Sequence, residues 1–332
     1  MRSDSGNQPK VSIVIIGRNE AGNLPTCIHS VRQMNYPPDL LEITYVDTDS
    51  TDGSPMVARS LGITVYEEHS SFPSPGRARN RGWREARHDI VHFVDGDMTI
   101  DPGYLWEAVQ HLGPGGVVCV FGRIEERHAA RNPIVRALEY PWKQKQPGYI
   151  DAPGAGGTFC KSALEEIGGY NPDLLKGQET ELGRRLRARG YRILLIEQMM
   201  GTHDYGINTF RDLWNRYRGI GRSLAKVMQL AASPSINEGK RAACRNLAQA
   251  ALGVVTLIGL LLAGLWWAIP LSPGLLALYV TARYWQPARL RKQRIAYFML
   301  FYLLRPAVWA GMFEFCLASW KSRRSPCREH PA

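Results

Sequence analysis

Four short apolar runs, each closing on a polar or acidic cluster, constrain this chain most. Lys10–Gly17 reads KVSIVIIG, 41–47 reads LEITYVD, 62–68 reads GITVYEE and 89–95 reads DIVHFVD. Runs of this length, rich in β-branched residues and bounded by turn formers, predict strands. Leu24–Gln33, Gly53–Ser60 and residues 76–87 (GRARNRGWREAR) between them predict helices. Alternating strands and helices imply an α/β fold, Rossmann-like, with a mostly parallel sheet and helices on both faces. Ligands of such sheets bind beyond the carboxyl ends of the strands. Arg18-Asn19-Glu20, Asp47 to Asp52 and Asp95-Gly96-Asp97 all fall there. The last of these is unusual. Alternation along a strand puts Asp95 and Asp97 on one side, where they repel each other unless a cation lies between them or water surrounds them.

Charge divides the chain. Residues 1–210 hold 23 Lys+Arg and 26 Asp+Glu; residues 211–332 hold 18 and 4, so the excess of +11 resides in the last third. That third also contains 37 residues, Asn246–Ala282, with no charged side chain. One membrane helix needs about 20 apolar residues. The run therefore predicts a transmembrane hairpin over 245–285, turning near Pro270 and Pro273-Gly274, rather than a buried soluble hairpin. Basic residues flank it (Lys240, Arg241, Arg245; Arg283, Arg289, Arg291, Lys292, Arg294), as expected if both ends lie on the cytoplasmic side. Residues 295–320 form a further apolar segment, broken by Arg305-Pro306 and Glu314, which reads as an interfacial or re-entrant piece before a basic tail, 321–332. Two or three membrane segments fit. The +14 surrounds these segments, which argues for anionic lipid and against nucleic acid. The six cysteines show no metal spacing and read as free thiols.

Five motifs resemble those of the family-2 glycosyltransferases, which have the GT-A fold. VSIVIIGRNEAGNLPTCIHSV is similar to the family's first strand and helix, and VDTDSTDGS to its VDDGSTDGT motif. GRARNRGWREA is similar to the helix before the third motif, FVDGDM to the DxD motif, and GAGGTFCKSALEEIGGYNPDLLKGQETELGRRLRARGY to the acceptor-side segment ending GEDxDLxxRLxxxGY. Together they cover residues 10 to about 200. The resemblance implies a GT-A catalytic domain over 10–208, after a tail at 1–9.

The resemblance also implies roles. Asp97 is the expected direct ligand of a divalent metal, Mn²⁺ or Mg²⁺, and Asp95 approaches the ribose or sugar. His203, in GTHDYG, matches a third metal ligand. Gly17, Arg18, Asn19, Glu20 and Asp47 are expected to bind the nucleotide-sugar, Asp47 at the base. Thr48 stands where the family has a second Asp, which leaves the base specificity open; a UDP-sugar is expected, with GDP as the alternative. Arg79 and Asn80 match the ARNxG positions near the nucleotide. In GQETEL, Glu179 falls at the family's catalytic Asp and Gln178 at the preceding Glu; Glu181 is the second candidate for the base. Between 209 and 232, apolar residues recur every three or four positions among Arg211, Arg216, Arg218, Arg222 and Lys226. This predicts a basic amphipathic interfacial helix; its resemblance to a segment of related polymerases implies that Arg216 and Arg218 touch a diphosphate, the alternative being docking alone.

The chemistry is consistent with this resemblance. A departing nucleoside diphosphate gains charge that a carboxylate-bound Mg²⁺ or Mn²⁺ can neutralise. An acceptor hydroxyl attacking an anomeric carbon needs a carboxylate to take its proton. The expectation is thus a metal-dependent, inverting hexosyltransferase-like enzyme, multi-pass in the inner membrane with its catalytic domain in the cytoplasm. It would act on a lipid-linked or glycan acceptor in polysaccharide biosynthesis. The alternatives are a membrane-anchored sugar- or nucleotide-binding protein without turnover, and a sugar-phosphate nucleotidyltransferase. The latter lacks its glycine-rich phosphate loop here.

Overall fold

The fold follows from the computed structural model, which describes residues 8–128, 145–229 and 304–324, with isolated positions between 132 and 136 and between 236 and 248. The chain divides into two compact units, Met1–His128 with Gln144–Tyr205, and Ala129–Lys143 with Gly206–Ala332.

The first unit opens as the sequence predicts. Strands β1 (Val11–Gly17), β2 (Leu41–Asp47), β3 (Thr64–Glu67) and β4 (Ile90–Asp95) alternate with helices α1 (Leu24–Arg32), α2 (Ser54–Ser60) and α3 (Pro75–Glu85). All four strands are parallel, in the order β3-β2-β1-β4. There follow β5 (Met98–Ile100), α4 (Tyr104–Gln110), β6 (Val117–Glu126), β7 (Gly148–Tyr149) and β8 (Gly157–Cys160). Helices α5 (Lys161–Ile167) and α6 (Gln178–Ala188) and strand β9 (Arg192–His203) complete the unit. The sheet continues β4-β8-β6-β9-β5, with β7 also on β9.

In this second half the expected parallel arrangement fails. Strand β8 is antiparallel to both β4 and β6, while β5 and β7 are antiparallel to β9; only β6 and β9 run parallel. The sheet is therefore mixed. Strand β5 starts three residues after β4 ends, yet pairs with β9 and not with β4.

Both faces of the sheet are covered, which explains why β1 is apolar throughout instead of alternating. Ile13 and Ile15 pack with Leu24, Ile28 and Val31 of α1, while Val14 and Ile16 pack with Ala78 and Trp83 of α3. Each such aliphatic side chain, fully buried, contributes about 1.5–3 kcal/mol. Helix α3 lies so close to β1 that a Cβ at Gly82 would come within 2.1 Å of Val14 Cγ1. Ser74 caps this helix, its hydroxyl accepting from the Arg77 N–H at 3.3 Å. Cap and glycine together set where the α3 side chains Arg79 and Asn80 point.

The second unit contains α7 (Phe210–Gln229) and α8 (Arg305–Arg324). Helix α7 buries Leu213, Tyr217, Gly221, Ser223, Ala225 and Val227. The two helices touch backbone to backbone, since a Cβ on Gly221 would lie 1.9 Å from Val308 O and one on Gly311 would lie 1.9 Å from Arg218 O. Glu314 pairs with Arg218 and, at 3.4 Å, with Arg222. Arg305-Pro306 begins α8, with proline in the first turn where no backbone N–H is needed, and does not interrupt it. Within the segment 295–320, the residues from Arg305 onward form one continuous helix. The predicted hairpin, 245–285, lies outside the described residues but for its first few positions. Among the described residues no helix is long and apolar enough to cross a membrane.

One core group makes stability depend on pH. His92 on β4 is fully buried, with Nδ1 3.1 Å from Thr158 Oγ1, and burial pushes its pKa down to about 4. The unfolded chain takes up this proton near the ordinary value of about 6.5. Stability is therefore fully present above that value and is lost as pH falls towards 4, by up to ~3 kcal/mol. Urea denaturation of the wild type and His92→Gln should show the variant losing less stability between pH 7.5 and 4.5; parallel losses would refute this assignment.

Candidate active site

Asp95, Asp97 and His203 come together at the carboxyl end of the sheet, with one ligand atom from each within 4.8 Å of the others. The fold brings them there in two ways. The tight β4–β5 turn is held by Gly96 N–H donating to Ile16 O at 2.8 Å. Strand β5 then pairs with the end of β9, Met98 opposite His203. His203 Nε2 lies 3.3 Å from Asp97 Oδ1. That oxygen is buried and receives no hydrogen bond. Burial, together with the charges of Asp95 and Glu20, raises the Asp97 pKa to about 7, although His203 opposes the rise. Burial lowers the His203 pKa, but Glu126, Asp97 and Asp95 outweigh it and the net shift is upward. Two carboxylates and an imidazole around an unpartnered buried oxygen are a donor set that suits a divalent cation such as Mn²⁺ or Mg²⁺.

Arg79 lies behind this cluster and is 1% exposed. Its Nη2 donates to Asp95 Oδ1 at 2.7 Å, its Nη1 approaches Glu179 Oε1 at 3.4 Å, and its guanidinium lies 5.3 Å from the centre of the Tyr170 ring. Burial disfavours the cation, yet Asp95, Tyr170 and Glu179 hold its pKa above the ordinary arginine value. The sequence places Arg79 beside the nucleotide; here it faces two carboxylates instead of open solvent. Asn80, placed with it, also turns inward. Its Nδ2 donates to Tyr170 O at 2.7 Å, while its Oδ1 accepts from Tyr170 N at 2.8 Å and Trp83 Nε1 at 3.1 Å. Asn80 is a latch between α3 and the Tyr170 turn.

The two candidate bases separate. Glu179 is partly exposed beside Arg79. Glu181 is buried, and both its oxygens accept from Arg185 at 2.7 and 2.6 Å, one helical turn away. Glu181 is thus bound within its own helix, whereas Glu179 lies partly exposed beside Arg79. Both lie in the first turn of α6, where helix-terminal N–H groups favour acids.

The β1–α1 and β2–α2 loops are stitched together beside the cluster. Asn19 N–H donates to Ser50 Oγ at 2.8 Å, Thr51 N–H to Asn19 Oδ1 at 2.8 Å, Glu20 N–H to Ser54 Oγ at 2.8 Å, and Ala21 N–H to Asp52 Oδ2 at 2.9 Å. Asn19 and Asp49 adopt positive φ, 59° and 53°. Asp49 accepts from Ser70 N at 3.1 Å and lies 2.9 Å from His69 Nδ1, a pair the sequence did not single out. Asp47 is buried, with Oδ1 accepting from Tyr45 and Ser50 hydroxyls and Oδ2 from Ser50 N–H. Gly17 O accepts from Thr48 N–H at 3.1 Å, and Arg18 is exposed. Arg216 and Arg218 belong to α7 in the other unit, where Arg218 is bound to Glu314.

A mixed sheet covered on both faces, with paired aspartates and a histidine at its carboxyl edge, defines an α/β protein of GT-A type. The fold matches a mannosyltransferase from Pyrobaculum calidifontis, solved with GDP-mannose and Mn²⁺, at TM-score 0.61 and 19% identity over 95% of this chain and 89% of that one. Glycosyltransferase AglE of Haloferax volcanii is 24% identical over 67% of this chain and 75% of its own length. The pre-mycofactocin glycosyltransferase of Mycobacterium tuberculosis is 26% identical over 59% of this chain, which spans only 43% of that relative. Residues 12–166 match the family model of glycosyl transferase family 2.

The Arg79 arrangement is testable by stability. Removing one partner of a buried ion pair costs about 3–5 kcal/mol. Arg79→Met should lose that much in urea denaturation, and Arg79→Met combined with Asp95→Asn should recover part of it. A loss below about 1 kcal/mol would show that the buried pairing does not hold the site.

Proposed function

We propose that this protein transfers a sugar from a nucleotide-sugar, a UDP-sugar foremost, to a hydroxyl of a lipid-linked or glycan acceptor, with inversion at the anomeric carbon. The observation that carries the reading is the meeting of Asp95, Asp97 and His203 at the sheet edge, linked through Arg79 to Glu179. Asp97 and His203, with Asp95, would hold a divalent cation, which supplies Lewis-acid charge for the departing diphosphate. Glu179 takes the proton of the acceptor hydroxyl as that oxygen bonds to the anomeric carbon. The bond from that carbon to the diphosphate oxygen breaks, and the nucleoside diphosphate leaves with the electron pair. One displacement at one carbon inverts its configuration. Arg79 pairs with Glu179 and fixes Asp95. Asp47 contacts the base, and Gly17, Arg18, Asn19 and Glu20 line the nucleotide's side of the site.

We place the catalytic domain on the cytoplasmic face of the inner membrane, with Asn246–Ala282 crossing twice and the basic α7 and α8 near acidic headgroups. The support is the 37-residue uncharged run and its basic flanks. An impermeant thiol reagent applied to intact cells should then fail to label Cys327 in a variant lacking Cys244 and Cys316, but should label it after lysis. Labelling from outside would mean an odd number of crossings.

Turnover of a panel of UDP- and GDP-sugars, with and without EDTA, tests the reaction. Asp97→Asn and EDTA should each abolish turnover. Glu179→Gln should bind donor but lose about 10²–10⁴ in kcat, the usual worth of a general base, while Glu181→Gln remains active. Full activity in EDTA, or a dead Glu181→Gln beside an active Glu179→Gln, would contradict these assignments. Donor binding with no turnover would point to a binding protein.

A further inference from the structure

The carboxylate behind His203 carries an inference that nothing in the family match assigns. Glu126 ends β6 and stands opposite His203 across the parallel β6–β9 pair. Neighbouring Glu125 is exposed, whereas the Glu126 side chain is only 1% exposed. Burying a carboxylate on a strand is costly, and an apolar residue would fill the place more cheaply. Two backbone bonds bracket the pair: Tyr205 N–H donates to Glu126 Oε2 at 2.9 Å, and Arg127 N–H to His203 O at 2.9 Å. His203 Nδ1 lies 3.8 Å from Glu126 Oε2, buried and without a hydrogen bond. On the far side of the ring, Nε2 faces the unpartnered Asp97 Oδ1 at 3.3 Å.

We propose that Glu126 is a positioning residue for the metal site: it draws the imidazole proton to Nδ1 and leaves the Nε2 lone pair directed at the cation. With the proton on Nδ1, Nε2 and Asp97 Oδ1 are two acceptors facing each other, the arrangement a shared cation requires. A carboxylate behind a ligating imidazole also fixes ring orientation and raises ligand basicity. The inference rests on the reading that Asp95, Asp97 and His203 hold a divalent cation.

Two measurements on the full chain test it. Mn²⁺ affinity, read by electron paramagnetic resonance of free Mn²⁺, should weaken about 10–100-fold in Glu126→Gln, the usual effect of removing such a partner. Asp97→Asn should abolish binding. Long-range ¹H–¹⁵N spectra of the metal-free wild type, at a pH where the ring is neutral, should show the His203 proton on Nδ1, with the signal assigned by its loss in His203→Gln. This second measurement needs no folded Glu126 variant. A proton on Nε2, or an unchanged Mn²⁺ affinity in Glu126→Gln while Asp97→Asn is inert, would overturn the inference and leave the cation site standing. A wild type that binds no Mn²⁺ would overturn the site reading itself.

Discussion

A buried guanidinium must be paired, and the pairing of Arg79 organises this site. One side chain on α3 reaches Asp95 at the end of β4 and Glu179 at the start of α6, over the ring of Tyr170. Three elements far apart in sequence are thereby held at one point. The cost of removing the cation from water is offset only while both carboxylates stay in place. The same geometry joins the two halves of the proposed chemistry: Asp95 belongs to the cation and donor, Glu179 to the acceptor. Neither carboxylate can move far without exposing a charge to an apolar interior. Gly82 against Val14, the Ser74 cap and the Asn80 latch keep α3 in register with the sheet, so core packing becomes site precision.

Much of this was legible in the sequence, for identifiable reasons. Strands β1 to β4 and helices α1 to α3 alternate in short, locally patterned segments, and their limits agree within a few residues. Asp95, Asp97 and His203 were singled out from motif positions and meet in space. The antiparallel half of the sheet was not legible, because its pairings depend on chain reversal and not on composition. The inward contacts of Arg79 and Asn80 were not legible, because local pattern cannot reveal whether a polar side chain turns inward. Glu126 gave no signal at all: its partner is 77 positions away, joined only by the β6–β9 register. Glu181 could be told from Glu179 only once Arg185 was seen to bind both its oxygens.

The α7–α8 pair shows the same limit from another side. Periodicity predicted a helix over 209–232, and α7 spans Phe210–Gln229. Its arginines suit a lipid surface or a diphosphate equally well by sequence. In the structure, Glu314, which reads as a flaw in an apolar segment, is the counter-charge for Arg218 and Arg222. The glycines at 221 and 311 allow the backbones to meet, so this acid can reach both.

The central claim is that the Asp95–Asp97–His203 cluster is a cation site coupled through Arg79 to the catalytic base. Anomalous diffraction from crystals grown with Mn²⁺ and a nucleoside diphosphate tests it most directly. The account predicts one Mn²⁺ peak in contact with Asp97 and His203 Nε2, beside the diphosphate, with Arg79 still joining Asp95 to Glu179. A peak elsewhere, such as on Asp49 and His69, or a diphosphate bound by Arg79 with Glu179 displaced, would contradict it.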